Sequence, residues 1–76
     1  MPLTFVKGGE FVLVVRVGGD DISRQHLADM GFVPGAKIKI ISQHDGDVIV
    51  NVKDSHLAIT KQMAEKIFVK PERTIS

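Results

Sequence analysis

The stretch Glu10-Phe11-Val12-Leu13-Val14-Val15-Arg16-Val17 constrains the fold more than any other part of the chain. Its valines favour extended backbone, because branching at Cβ restricts χ1 and suits a pleated surface. Both alternating faces are apolar apart from Arg16, so the stretch reads as a strand buried on both sides. Lys7-Gly8-Gly9 precedes it and Gly18-Gly19 ends it, and paired glycines allow tight turns. A doubly covered strand in a chain of 76 residues suits the interior of a small barrel or a sandwich.

Leu3 to Val6 is a short apolar start. After the glycines, Asp20 or Asp21 supplies a helix N-cap, its carboxylate accepting an orphan backbone N–H. The helix is expected from about Ile22 to Met30, with Ile22, Leu27, Ala28 and Met30 as apolar candidates. Gly31 falls where a left-handed residue ends a helix. Pro34-Gly35 carries the fixed φ and the positive φ of a type II turn. Ala36 to Ser42 alternates, Ile38 and Ile40 on one face, Lys37 and Lys39 on the other. Gln43 to Asp47 reads as a hairpin loop with an Asp-Gly step. Val48 to Lys53 is the return strand, Asp54-Ser55 a second turn, and His56 to Ile59 a fourth strand. Thr60 caps a short helix over Lys61 to Lys66, turning Met63, Ala64 and Ile67 toward the core. Phe68-Val69-Lys70 closes the chain's regular structure, Pro71 ends it, and residues 71–76 form a frayed tail.

Four to six short strands and one or two short helices leave too little chain for a parallel βαβ sheet. The expected fold class is mainly β: one domain over residues 3–70, a small, partly open barrel of SH3-like or OB-like type. An open α+β sheet is the alternative. Barrel closure removes the exposed edges that short antiparallel strands present.

Composition narrows the function classes. Ten Lys+Arg against nine Asp+Glu leave a formal charge of +1, so no strong field selects nucleic acid or an anionic membrane. There is no cysteine, hence no disulfide framework and no thiolate nucleophile or ligand. The longest apolar run, Phe11 to Val15, is far short of the ~20 residues of a membrane span. The start Met1-Pro2-Leu3-Thr4 lacks the basic and apolar regions of a signal peptide. A soluble, cytoplasmic domain is expected. A chain this small buries only about 60% of its unfolded surface. Walls for a deep catalytic cleft are then hard to build, and no enzyme activity is expected.

The polar residues agree. His26, His44 and His56 share no ligand spacing; His26 with Asp29, or His44 with Asp45 and Asp47, are the sparse metal candidates, weighed against solvated surface groups. No metal site and no cofactor are expected. Ser23, Ser42, Ser55 and Ser76 lack the setting of a nucleophile, and the glycine pairs match no phosphate-binding motif. Lys37, Lys39 and Lys53 form a basic strand face without an exposed aromatic, which reads as a solvated face, not a nucleic-acid surface. Arg16 and Arg24 read as surface arginines beside Asp20, Asp21 or Asp29, with an arginine finger for a GTPase as the sharper alternative.

The segment Leu27-Ala28-Asp29-Met30-Gly31-Phe32-Val33-Pro34-Gly35-Ala36, followed by Ile38-Lys39-Ile40-Ile41, resembles the L-x-x-[LM]-G-x-x-P-G-x pattern of the FeoA family, small cytosolic proteins of bacterial ferrous iron transport. Leu3 with Lys7 to Glu10 resembles its opening turn, Val14 to Val17 with Gly19 its first long strand, and Leu57-Ala58-Ile59 with Ala64, Ile67 and Val69 its closing stretch. The loop Gln43 to Asp47 is shorter than in many members, with Val48 where proline is frequent. The resemblance implies an SH3-like barrel and association with FeoB, the membrane iron permease with a cytosolic GTPase domain. It implies a regulatory or scaffolding role without membrane insertion. The same fold occurs at the C-terminus of diphtheria-toxin-repressor-type regulators. With Met1 starting the chain and no helix-turn-helix ahead of the barrel, a free-standing protein is expected over a repressor module, and over a stand-alone nucleic-acid-binding barrel. The expected docking face is Leu27, Met30, Phe32, Pro34 and Gly35, with Leu27 and Phe32 as core residues the competing reading. Gly31, Pro34 and Gly35 form the structural motif.

Overall fold

Turn chemistry sets the strand order. In the computed structural model, which describes residues 2–72, Asp45 and Gly46 hold φ values of 52° and 93°. Two successive positive φ values match the right-handed twist of the flanking strands. Strand β2 (Lys37–His44) therefore runs to the turn and β3 (Asp47–Val52) leaves directly from it, with His44 opposite Asp47. The loop expected over Gln43 to Asp47 shrinks to Asp45 and Gly46. Lys53 and Asp54 repeat the device (φ 51° and 64°) and deliver β4 (Ser55–Ile59), one residue earlier than the expected Asp54-Ser55 turn.

Strand β1 (Phe11–Val17) pairs antiparallel with β2 on one side and with β5 (Ile67–Pro71) on the other, giving a sheet ordered β4-β3-β2-β1-β5. Register shifts between Val14 and Arg16, and between Ile40 and Ser42, mark β-bulges. Bulges bend a strand and raise its twist, which curls five short strands toward a barrel. A 3-10 turn (Leu3–Phe5), helix α1 (Asp21–Asp29) and helix α2 (Lys61–Ala64) complete the fold. It is the expected mainly β small barrel with two short helices.

One core results. Val12, Val14, Ile38, Ile40, Val50 and Val69 face it from the sheet, and Leu3, Leu27, Phe32 and Ala64 cover it. The expectation that β1 is buried on both faces is corrected: Phe11 and Val15 are exposed and Leu13 half-buried on its outer side. The 3-10 turn, α1 and α2 all send their buried side chains into the same core, leaving no helix among the described residues to cover the other face.

The last strand ends at Pro71, one residue beyond the expected Lys70, so Pro71 belongs to the sheet and not to a frayed tail. Pro71 pairs with Val12, and the Glu72 N–H donates to the Phe11 carbonyl at 3.1 Å. The rest of the expected tail, 73 to 76, lies outside the described residues.

A candidate docking site along the first helix

Helix α1 is fixed at both ends by local chemistry. At its start the Ser23 N–H donates to Asp20 Oδ1 at 2.7 Å. That backbone bond, then the Ser23 side chain, holds the Asp20 carboxyl below its ordinary value; Lys66 and Arg24 add smaller attractions. The outward face is polar: Arg24 pairs with Asp21, and the Gln25 amide donates to Asp29 at 3.0 Å.

At its end the Phe32 N–H donates to the Leu27 carbonyl (3.0 Å) and the Gly31 N–H to the Ala28 carbonyl (2.9 Å), with Gly31 at φ 105°. This is a Schellman cap, which brings the residue after the glycine against the residue at the start of the last turn. Here those are Phe32 and Leu27, each 1% exposed. The chain then makes the type II turn: the Ala36 N–H donates to the Val33 carbonyl at 2.9 Å and Gly35 has φ 89°. The Gly35 N–H donates onward to the Val14 carbonyl at 2.8 Å, tying the turn to β1.

The expected docking set is thus divided. Leu27 and Phe32 are core residues, because the cap turns both inward. Met30 is half-buried against the core, and Pro34 and Gly35 are exposed. Ile22, one of the apolar candidates expected on the helix, is 82% exposed. It borders a groove between the two helical segments whose other walls are Ser23, His26, Leu27, Met63 and Lys66. Lys66 Nζ donates to Ser23 Oγ across it at 3.5 Å. The position of Ile22 was legible from spacing. Leu27 follows it by five positions, which places the two about 140° apart around a helix, so both cannot face the core.

The other polar candidates lie apart. His26 stands exposed on the groove's rim, while His44 and His56 are exposed on β2 and β4. Among the described residues no three His, Cys, Asp or Glu side chains converge for a metal ion. The Arg16 guanidinium lies over the Phe68 ring, 4.1 Å from its centroid. The lysine face, read as lacking an exposed aromatic, has one: Phe11 is 45% exposed between Lys37 and Lys39. The valine-rich run around Phe11 hides this exposure in the sequence.

Known proteins place the arrangement. A Methanocaldococcus jannaschii protein named as an Fe(2+) transport protein A is 39% identical over 69 residues, covering 91% of this chain and 84% of the relative. The crystal structure of an iron uptake regulatory protein, FeoA, superposes with a TM-score of 0.86 at 34% identity, covering 92% of this chain and 95% of the other. A manganese-dependent transcriptional repressor shares the fold alone, with a TM-score of 0.85 at 16% identity; the match spans 95% of this chain and 41% of the repressor. Residues 1–71 match the FeoA domain. The chain belongs to the FeoA domain family.

Proposed function

We propose that this protein is a small cytosolic accessory of ferrous iron uptake that acts by binding the cytosolic GTPase domain of an FeoB-type membrane transporter. Family membership over residues 1–71 supports the process. The observation that supports protein contact is Ile22, an aliphatic side chain left 82% exposed at the edge of a groove floored by Leu27 and walled by Met63. Exposed aliphatic surface beside an adaptable methionine is what a partner's side chain covers. The docking surface runs along α1 from Ile22 to Met30 and ends at the exposed Pro34-Gly35 turn. No bond to substrate is made or broken in this role.

The test uses Ile22→Glu. Burying an isoleucine side chain contributes about 1.5–3 kcal/mol, so loss of that contact weakens binding roughly 10- to 100-fold. Because Ile22 is outside the core, the variant keeps the parental melting temperature. Titration of the transporter's isolated GTPase domain, with and without guanine nucleotide, reads the affinity. Parental affinity in a folded Ile22→Glu protein would place the docking surface elsewhere.

A further inference from the structure

Antiparallel pairing lines up four side chains across the outer face of the sheet. Phe11 of β1 lies opposite Lys39 of β2, Lys39 opposite Asn51 of β3, and Asn51 opposite His56 of β4. Directly paired residues share a face, and the core residues Val12, Ile38 and Val50 alternate with this row, so it looks away from the core. Strands lie about 4.8 Å apart, so the row spans about 14 Å. A second row runs beside it, with Lys70 opposite Leu13 and Leu13 opposite Lys37. Lys37 Nζ and Lys39 Nζ stand 4.8 and 5.5 Å from the Phe11 ring centroid. Farther along, Arg16 covers the paired Phe68. Glu72 engages Lys37 at 3.3 Å; among the described residues no carboxylate forms an ion pair with Lys39, Lys70 or Arg16.

We propose that this face binds single-stranded nucleic acid. A base stacks on the Phe11 ring, the lysine heads now over that ring move onto phosphates, and the Asn51 amide and His56 imidazole meet base edges. Aromatic side chains set among cations on a small-barrel sheet supply both parts of such binding, stacking and backbone charge. The combination selects this partner over other anions. An acidic peptide would use the lysines and leave the aromatic, amide and imidazole of the row without a role. An anionic bilayer would likewise use the lysines and leave the Asn51 amide and the His56 imidazole of the row without a role. No residue of α1 takes part, so this binding and the transporter docking stand or fall separately.

The experiment is fluorescence anisotropy of a labelled oligouridylate of about ten nucleotides, titrated with the whole protein at several salt concentrations. Saturable binding is expected at low salt. Contacts to three phosphates give a slope of about −2 in log K against log salt. Phe11→Ala lowers affinity about 5- to 100-fold, and Lys37→Gln with Lys39→Gln flattens the slope by about 1.4. Both sites are exposed, and unchanged melting temperatures confirm folded proteins. Absence of saturable binding at low salt overturns the proposal. So does full affinity in Phe11→Ala, or competition by polyglutamate or phosphatidylserine vesicles as effective as that of unlabelled oligonucleotide.

Discussion

Replacing Gly31 by alanine puts two separable strains into one position. The first is conformational: φ at Gly31 is 105°, and a side chain in left-handed backbone costs about 1–2 kcal/mol. The second is steric. A Cβ built on Gly31 would lie 2.8 Å from Val52 Cγ1, closer than two carbons pack. Val52 is 2% exposed and wedged in the core, so it has little room to yield, and overpacking of this kind costs about 1–3 kcal/mol. Alanine recovers about 0.4–1 kcal/mol by narrowing the unfolded ensemble. The net loss is about 1–4.5 kcal/mol. A domain of this length has roughly 4–11 kcal/mol in all, and the melting temperature falls by roughly 5–35 °C.

Gly35 provides the control. Its φ is 89°, yet a Cβ there meets nothing within 4 Å. Gly35→Ala carries the conformational cost without the clash, about 1 kcal/mol or less after the unfolded-state gain. Urea denaturation of the two variants therefore measures the Val52 contact as a difference, about 1–3 kcal/mol. Adding Val52→Ala should recover that difference in the Gly31 variant, as positive coupling in a double-mutant cycle. Equal losses for Gly31→Ala and Gly35→Ala, with no coupling to Val52, would refute the steric part of the reasoning.

Two further outcomes follow from turns and caps. The Asp20 carboxyl is held below its ordinary value of 3.8. Its contribution to stability is therefore complete above that value and is lost as pH falls through the lowered one. Thermal melts in acid should lose this part of their pH dependence in Asp20→Asn, which keeps an accepting oxygen; an identical acid limb would show that Asp20 contributes nothing there. Lys53 and Asp54 both sit at positive φ without a glycine. The pair Lys53→Asn, Asp54→Gly supplies the residues that this hairpin turn favours and should stabilise the domain by about 1 kcal/mol, and a lowered urea midpoint would sink the assignment of strain.

Much of the fold was legible because its signals are local. Asp20, Gly31 and Thr60 act through bonds to residues within a few positions, as does the Val33 to Ala36 turn around Pro34-Gly35; Asp45-Gly46 acts through its own positive φ values, and each marks an element end. Where a turn carries no such signal the boundary slipped. Lys53-Asp54 contains no glycine or proline, so the sequence points to a turn one residue later, at Asp54-Ser55, although Ser55 already pairs with Val52. The exposure of Phe11 and Val15 was not legible, because it depends on which face the 3-10 turn and two helices cover. A run of valines says that a strand forms and leaves open how many of its faces are buried.

The candidate site was half legible for the same reason. The segment from Leu27 to Gly35 drew attention through its composition, and its conformation is as expected. Yet the geometry that makes Gly31 a cap also decides the fate of its neighbours. The 3.0 Å bond from the Phe32 N–H to the Leu27 carbonyl closes the helix by bringing those two side chains together, and in so small a core they become covering residues. The motif therefore cannot present its two largest members to a partner. What the helix ahead of it presents is set by helical spacing: Ile22, about 140° around from Leu27, faces outward because Leu27 faces inward. Ile22 contributes little to folding at 82% exposure, so it is the position where a loss of binding can be measured apart from a loss of structure.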